Sequence, residues 1–202
     1  MSSIRHKLSR RHHRDDAVLD AARACVLAVG VRRTTLTDVA RRAGISRMTI
    51  YRRWPDVRSL IADLMTREWS AVVAGVVPPD DGQPVRAQLV TSLVSGVQAL
   101  REHPLYRKIV ETDPEVLLPY ILERRGSSHD AMLAGIERTL LAGHQDGTIR
   151  RDDVTRQARV LLLVAQSFAL SEPTMSDDND PALSVVAFDD ELRQVLDRYL
   201  AP

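Results

Sequence analysis

Residues 35–54 contain two helical patterns, each too short to stand alone. Isolated helices below about 12–15 residues are marginal in water, so short ones survive only by packing. Thr35-Leu36-Thr37-Asp38 opens the first. The Thr35 side chain can accept from the backbone N–H of Asp38 while the Asp38 carboxylate reaches back, a capping box with Asp in the place of Glu. Val39, Ala40 and Ala43 make its inner face, and Gly44 stops it with a residue free to take positive φ. Ser46 caps the second, whose Ile50 points inward. Ala40 is small enough for close helix approach, and Val39, Ile45 and Ile50 form a small shared core. Pro55 ends helical geometry at Trp54, and Asp56 caps the next helix. The pattern predicts a helix-turn-helix.

Helical period continues almost everywhere else. Val18, Ala22, Cys25 and Val29 share one face of a helix that Gly30 ends and that starts near Asp15 and Asp16, where negative charge suits a helix dipole. A long fourth helix carries Leu60, Ile61, Leu64, Met65, Trp69, Val72, Val73 and Val76. The stretch 78–84, rich in Pro, Asp and Gly, reads as a linker. Helices are expected at about 84–102, 104–111, 114–124, 127–145 and 152–171, and a polar loop at 173–181 precedes a last one at about 183–200. No segment reads as a strand or a repeat. The fold class is all-α.

The net charge of +1 conceals an asymmetry. Residues 1–60 hold 14 Lys and Arg against 5 Asp and Glu, whereas residues 61–202 hold 14 against 22. A cationic end on an otherwise anionic chain points to a polyanion partner. The single cysteine, Cys25, excludes an intramolecular disulfide and a cysteine-framed zinc site. It lies on an apolar face, as a packed thiol does. The longest apolar run, 160–165, is far short of a membrane span. The N-terminus stays basic to Arg14 with no apolar segment behind it, so a signal peptide is not expected and a cytoplasmic location is.

The outward face of the second short helix reads Arg47, Met48, Thr49, Arg52 and Arg53, with no acidic residue. In a helix-turn-helix the N-terminal residues of the second helix meet base edges in the major groove. Arg47 can take a guanine O6/N7 pair, and Thr49 can bond a base or touch a thymine methyl, on which Met48 can also pack. Tyr51 and Arg53 are placed for phosphates. Thr35 and Thr37, with the free N–H groups of their helix start, offer another phosphate site, and Ser46 sits at the start of the reading helix.

The run Thr35-Leu36-Thr37-Asp38-Val39-Ala40, then Ala43-Gly44-Ile45-Ser46, then Thr49-Ile50-Tyr51-Arg52-Arg53-Trp54-Pro55 and Leu60, resembles the DNA-binding domain of the TetR family of regulators. The likeness covers roughly residues 15–65. It implies a basic flexible arm at 1–14, a three-helix DNA-binding domain at 15–58, and a larger helical effector-binding and dimerisation domain at 59–202. Family members usually carry a phosphate-holding lysine at the start of the fourth helix. Here that position is Val57 and the neighbour is Arg58, which points about 100° away. The cluster Arg5, Lys7, Arg10, Arg11 and Arg14 could add contacts, as basic arms do in minor grooves.

The resemblance implies a homodimer on double-stranded DNA with a palindromic operator, released by a small-molecule effector. The segment 160–170 is apolar almost all round and must be buried on several sides, against a second subunit or wholly within the monomer core. Leu161 and Phe168 from it, with Val185, Phe188, Leu192, Leu196 and Tyr199 from the last helix, are the expected interface. Trp69, Leu93, Val97, Tyr106, Leu133, Ile136 and Gln166 are the candidate effector contacts. Gln166 is the sharpest, since an amide in an apolar run needs a partner in a ligand, a water or the other subunit. No cofactor or metal is expected. The chain lacks a GxSxG elbow, an HExxH pair and a phosphate-binding glycine loop, so an enzyme is not expected. Repression is the first reading. A transcriptional activator or a non-specific architectural DNA-binding protein is the alternative, and footprinting separates them.

Overall fold

All regular structure among the described residues is helical. The computed structural model describes residues 2–76, 82–177 and 179–202, with side chains from residue 15 onward. Helix α1 spans Ser2–Val29, α2 Leu36–Arg42, α3 Arg47–Arg53 and α4 Val57–Gly75. Then come α5 (Val85–Glu102), α6 (Pro104–Thr112), α7 (Leu118–Leu122), α8 (Ser127–Asp146), α9 (Val154–Ser171) and α10 (Val185–Leu200). The expected helix at 114–124 is broken. A 3₁₀ turn at Pro114–Val116 is followed by the five residues of α7, because Pro114 and Pro119 each seat a helix start. The arm expected at 1–14 is helical backbone from Ser2 onward. The proposed DNA contacts of Arg5, Lys7, Arg10, Arg11 and Arg14 fall outside the described side chains.

Caps set most boundaries. Thr35, Ser46, Asp153 and Ser184 each accept a backbone N–H three residues on, at the starts of α2, α3, α9 and α10. Asp56 does the same for Ser59 at 2.7 Å. These bonds, with one from the Ser59 hydroxyl, hold the Asp56 carboxyl below its usual range.

The chain divides into two units. One comprises Met1–Glu68 and His103–Gly126, and the other Trp69–Glu102 and Ser127–Pro202. This differs from the boundary expected at 58/59, because α4 belongs to the first unit as far as Glu68 and α6 belongs there as well. The reason is chemical. Asp113, just past α6, accepts from Val31 N–H at 2.7 Å, Arg32 N–H at 3.3 Å and the Thr112 hydroxyl at 2.9 Å. It thereby satisfies the loop between α1 and α2. Burial pushes the Asp113 carboxyl up, but these bonds and the Arg32 guanidinium outweigh it and hold the group below its ordinary value. Nearby, Arg23 and Arg67 converge on the buried Glu68. Cys25 is buried, and burial raises its thiol pKa.

In the second unit α5, α8, α9 and α10 share a core around Val94, Leu140, Ile149, Leu161, Leu192 and Leu196. The core includes polar groups that periodicity does not reveal. Gln157 is fully buried, accepts from His144 Nε2 at 2.9 Å and donates to the Arg150 carbonyl at 3.1 Å. Arg101 bridges the buried carboxylates of Glu172, at 2.7 Å, and Asp189, which also accepts from Gln98 Nε2 at 2.7 Å. These bonds tie α5 to α10 and to the turn after α9.

Candidate nucleic-acid interface and effector cavity

In the first unit the two short helices fold as their caps and turn require. Thr35 accepts Asp38 N–H at 3.1 Å, and its hydroxyl donates to the Asp38 carboxylate at 2.6 Å, closing the box through side chains. Gly44 takes φ +67°, a left-handed conformation that glycine adopts without strain. Val39, Ala40 and Ile50 are buried to 0–1% exposure, and Trp54 to 2%. The Trp54 indole donates to Asp63 at 2.8 Å, which fixes the exit from α3 against α4.

With Ile50 and Trp54 turned inward, α3 presents Arg47, Met48, Tyr51 and Arg52 outward, Met48 at 78% and Tyr51 at 51% exposure. Holding an apolar methionine and a tyrosine ring in water, beside arginines, suits a surface that another molecule covers. Arg47, Arg52 and Arg58 make no ion pair within the chain among the described residues, so their guanidinium groups are free for an outside anion. Arg58 is exposed in the first turn of α4 beside the half-buried Val57.

Arg53 differs. Its guanidinium lies 3.2 Å from Asp15, 3.8 Å from Asp63 and 5.1 Å from the centroid of the Trp54 ring. It braces α3 against α1 and α4 while its side chain stays 45% exposed. The Thr49 hydroxyl, half-buried, lies 2.9 Å from that of Ser46, in the cap of α3. Thr35 is exposed and Thr37 half-buried at the start of α2. Helical period thus identifies the exposed face but does not reveal that Arg53 has acidic partners, which lie 38 and 10 residues away along the chain.

The second unit holds a cavity of about 410 Å³, within the range of small-molecule sites. Trp69, Leu93, Val97, Ile136 and Gln166 line it as expected. Tyr106 does not: it is buried in α6, in the other unit. Leu133 is buried in the core and does not line it either. Gln166 finds its partner in His129, 2.6 Å away.

The expected interface residues also separate. Leu161, Leu192 and Leu196 are at 0–1% exposure in their own core, so no second subunit can touch them. Phe168, Phe188 and Tyr199 are half-buried, and Val185 is 38% exposed. Three apolar residues outside the expected set stand in solvent on the same helices, Leu163 at 64% exposure, Val186 at 69% and Val195 at 46%. On α9 the exposed Leu163 and Ser167 and the half-buried Val160 form an uncharged surface, while Phe188, Val195 and Tyr199 share a stripe on α10. No helix of the described residues is long and apolar enough to cross a membrane.

Comparison with known proteins agrees with this architecture. The pattern of bacterial regulatory proteins of the tetR family matches residues 18–64. An uncharacterized HTH-type transcriptional regulator of Mycobacterium tuberculosis is 38% identical over 183 residues, covering 91% of this chain and 92% of its own. The counterpart in Mycobacterium bovis shows the same identity and coverage. Among solved structures, the transcriptional repressor QsdR of Rhodococcus erythropolis has a TM-score of 0.68 at 13% identity, covering 95% of this chain and 97% of that one. RolR in complex with resorcinol has a TM-score of 0.67 at 15% identity, covering 96% and 90%. These two share the fold. The sequence relatives are transcriptional regulators rather than enzymes, and at 38% identity over nine-tenths of both chains they place this protein in the TetR family of helix-turn-helix transcriptional regulators.

Proposed function

We propose that the protein is a homodimeric repressor whose two α3 helices enter successive major grooves of a palindromic operator. The observation that supports this most is the outer face of α3, where Arg47, Met48, Tyr51 and Arg52 stand in solvent on a helix locked by caps at its start and Trp54 at its end. Arg47 and Met48, in the first turn, read base edges, with Thr49 behind them. Tyr51, Arg52 and Arg58 hold phosphates, with the α2 start at Thr35 and Thr37 against the same strand. Ser46 orients the reading turn. Arg53 acts through position rather than contact.

The second subunit covers the uncharged surface of α9 and the Phe188, Val195 and Tyr199 stripe of α10. A fully solvated helix carries charges on its outward face, and α9 has none from residue 160 to 171. A C2 interface of this kind is self-complementary and sets the spacing of the two reading helices. The 410 Å³ cavity takes a small molecule that favours a dimer shape with the wrong spacing. DNA affinity then falls by a coupling free energy of about 1–3 kcal/mol.

Selection of bound duplexes from a random pool tests the reading. The expected product is an inverted repeat with half-site centres about 34 Å apart. Protein-bound pools without enrichment indicate an architectural binder and reject the proposal. Transcription from a promoter carrying the selected site should fall when the protein is added; a rise indicates an activator.

A further inference from the structure

The cavity of the second unit has a sparse polar inventory. Its walls are aliphatic, with Val72, Leu93, Val97, Met132, Ile136 and Leu162 around the single ring of Trp69. Three polar side chains in the lining already give a donor to a backbone carbonyl and keep mainly acceptor capacity. The Ser92 hydroxyl donates to Gln88 O at 2.9 Å, the Thr139 hydroxyl to Gly135 O at 3.2 Å, and Gln88 Nε2 to Gln83 O at 2.9 Å. Gln166 is bound instead at one pole of its amide, by His129 at 2.6 Å. An amide has a donor pole and an acceptor pole, so the other pole is left for whatever fills the cavity.

Charge in the lining is equally sparse. No Asp or Glu lines the cavity, so an ammonium group would enter without a counter-charge. The one cation is Arg138, which is exposed. It stands nine residues beyond His129 on α8, about 13 Å along the helix axis. A carboxylate at Gln166 would therefore be desolvated with the one guanidinium of the lining about 13 Å away along the helix axis.

We propose that the cavity binds an uncharged, single-headed aliphatic molecule whose hydroxyl or carbonyl group hydrogen-bonds to the Gln166 amide, with His129 as the positioning residue. The inference rests on the reading of this cavity as the effector site, but it concerns what binds rather than what binding does. The apolar body replaces water against the aliphatic walls, and the head satisfies the free amide pole. A hydroxyl can both donate and accept, so it suits either orientation of the amide.

The test uses the full-length protein and 1-decanol, decanoate and decylamine as probes, followed by calorimetry and tryptophan emission, with Trp69 as the reporter in the cavity wall. Wild-type protein should bind 1-decanol at least about ten-fold more tightly than either charged probe. Gln166→Met should weaken 1-decanol about ten-fold. His129→Ala, which removes the anchor and keeps the amide, should weaken it less and leave the charged probes as they were. Decanoate binding more tightly than 1-decanol, and losing that advantage in Arg138→Gln, would overturn the proposal. So would unchanged 1-decanol affinity in both Gln166→Met and His129→Ala. Release of a selected duplex is measured separately. If 1-decanol binds through Gln166 and the duplex stays bound, the ligand class stands and the effector reading fails.

Discussion

Gly143 on α8 leaves no room for a methyl group. A Cβ there would lie 2.3 Å from Ile149 Cδ1 and 2.5 Å from its Cγ1, and Ile149 is itself 1% exposed. Neither side can yield without moving the core. Gly143→Ala should therefore cost about 1–3 kcal/mol, although alanine is the better helix former by about 1 kcal/mol. Thermal melting checks it, and a raised melting temperature would show that the helix preference wins. Nothing in the sequence marks this glycine, because the clash is with a residue in the loop after the helix. Arg53 is a similar case. Its type and helical position are those of a DNA contact, yet Asp15 and Asp63 hold it. Arg47, Arg52 and Arg58 are legible because exposure follows from helical period alone. Gln157 is hidden, since an amide among charged residues reads as surface until His144 and the Arg150 carbonyl close around it.

Elements are the most legible level. The signals that start and stop a helix are local, and Thr35, Gly44, Ser46, Pro55 and Asp56 lie within one or two residues of the boundaries they set. The partners of each element are not legible, as α6 shows. Its sequence says only that Pro104 starts a helix; its allegiance comes from the carboxylate just beyond its last turn, which reaches 82 residues back to Val31. Gly30 takes φ +83°, and a Cβ there would lie 2.6 Å from Asp113 Oδ2, so the loop is shaped to admit that oxygen. Asp113→Asn keeps the shape but puts an amide donor against N–H groups. It should destabilise the fold by about 1–3 kcal/mol at pH 7. Because the folded carboxyl has a depressed pKa, its contribution is complete above the unfolded value of about 3.9 and is lost as pH falls through the lower folded value. The gap between wild type and Asp113→Asn in denaturant unfolding should therefore narrow below about pH 4. A gap that stays constant from pH 7 to pH 3 would assign the effect to shape instead.

At the scale of the whole molecule, the charge asymmetry fits the proposed polyanion partner and the uncharged surface of α9 fits the proposed second copy. The residues expected from sequence at a dimer surface divide between the monomer's own core and solvent. Period 3.6 identifies two apolar helices but cannot say which of their stripes the monomer core consumes, and the core takes Leu161, Leu192 and Leu196. Leu163→Glu should leave the monomer folded, since this side chain is 64% exposed, and abolish the dimer in sedimentation equilibrium at micromolar concentration. A dimer that persists would move the interface elsewhere.

The central claim is that the outer face of α3 reads DNA sequence. Fluorescence anisotropy at one fixed salt concentration tests it most directly, with wild type and Arg47→Ala titrated against the selected duplex and against duplexes altered one base pair at a time in the half-site. Arg47→Ala should cost about 1–3 kcal/mol on the selected duplex and flatten the preference at one base-pair position, while the other positions keep theirs. Equal losses on every duplex, with all preferences intact, would make Arg47 a phosphate contact and contradict that claim.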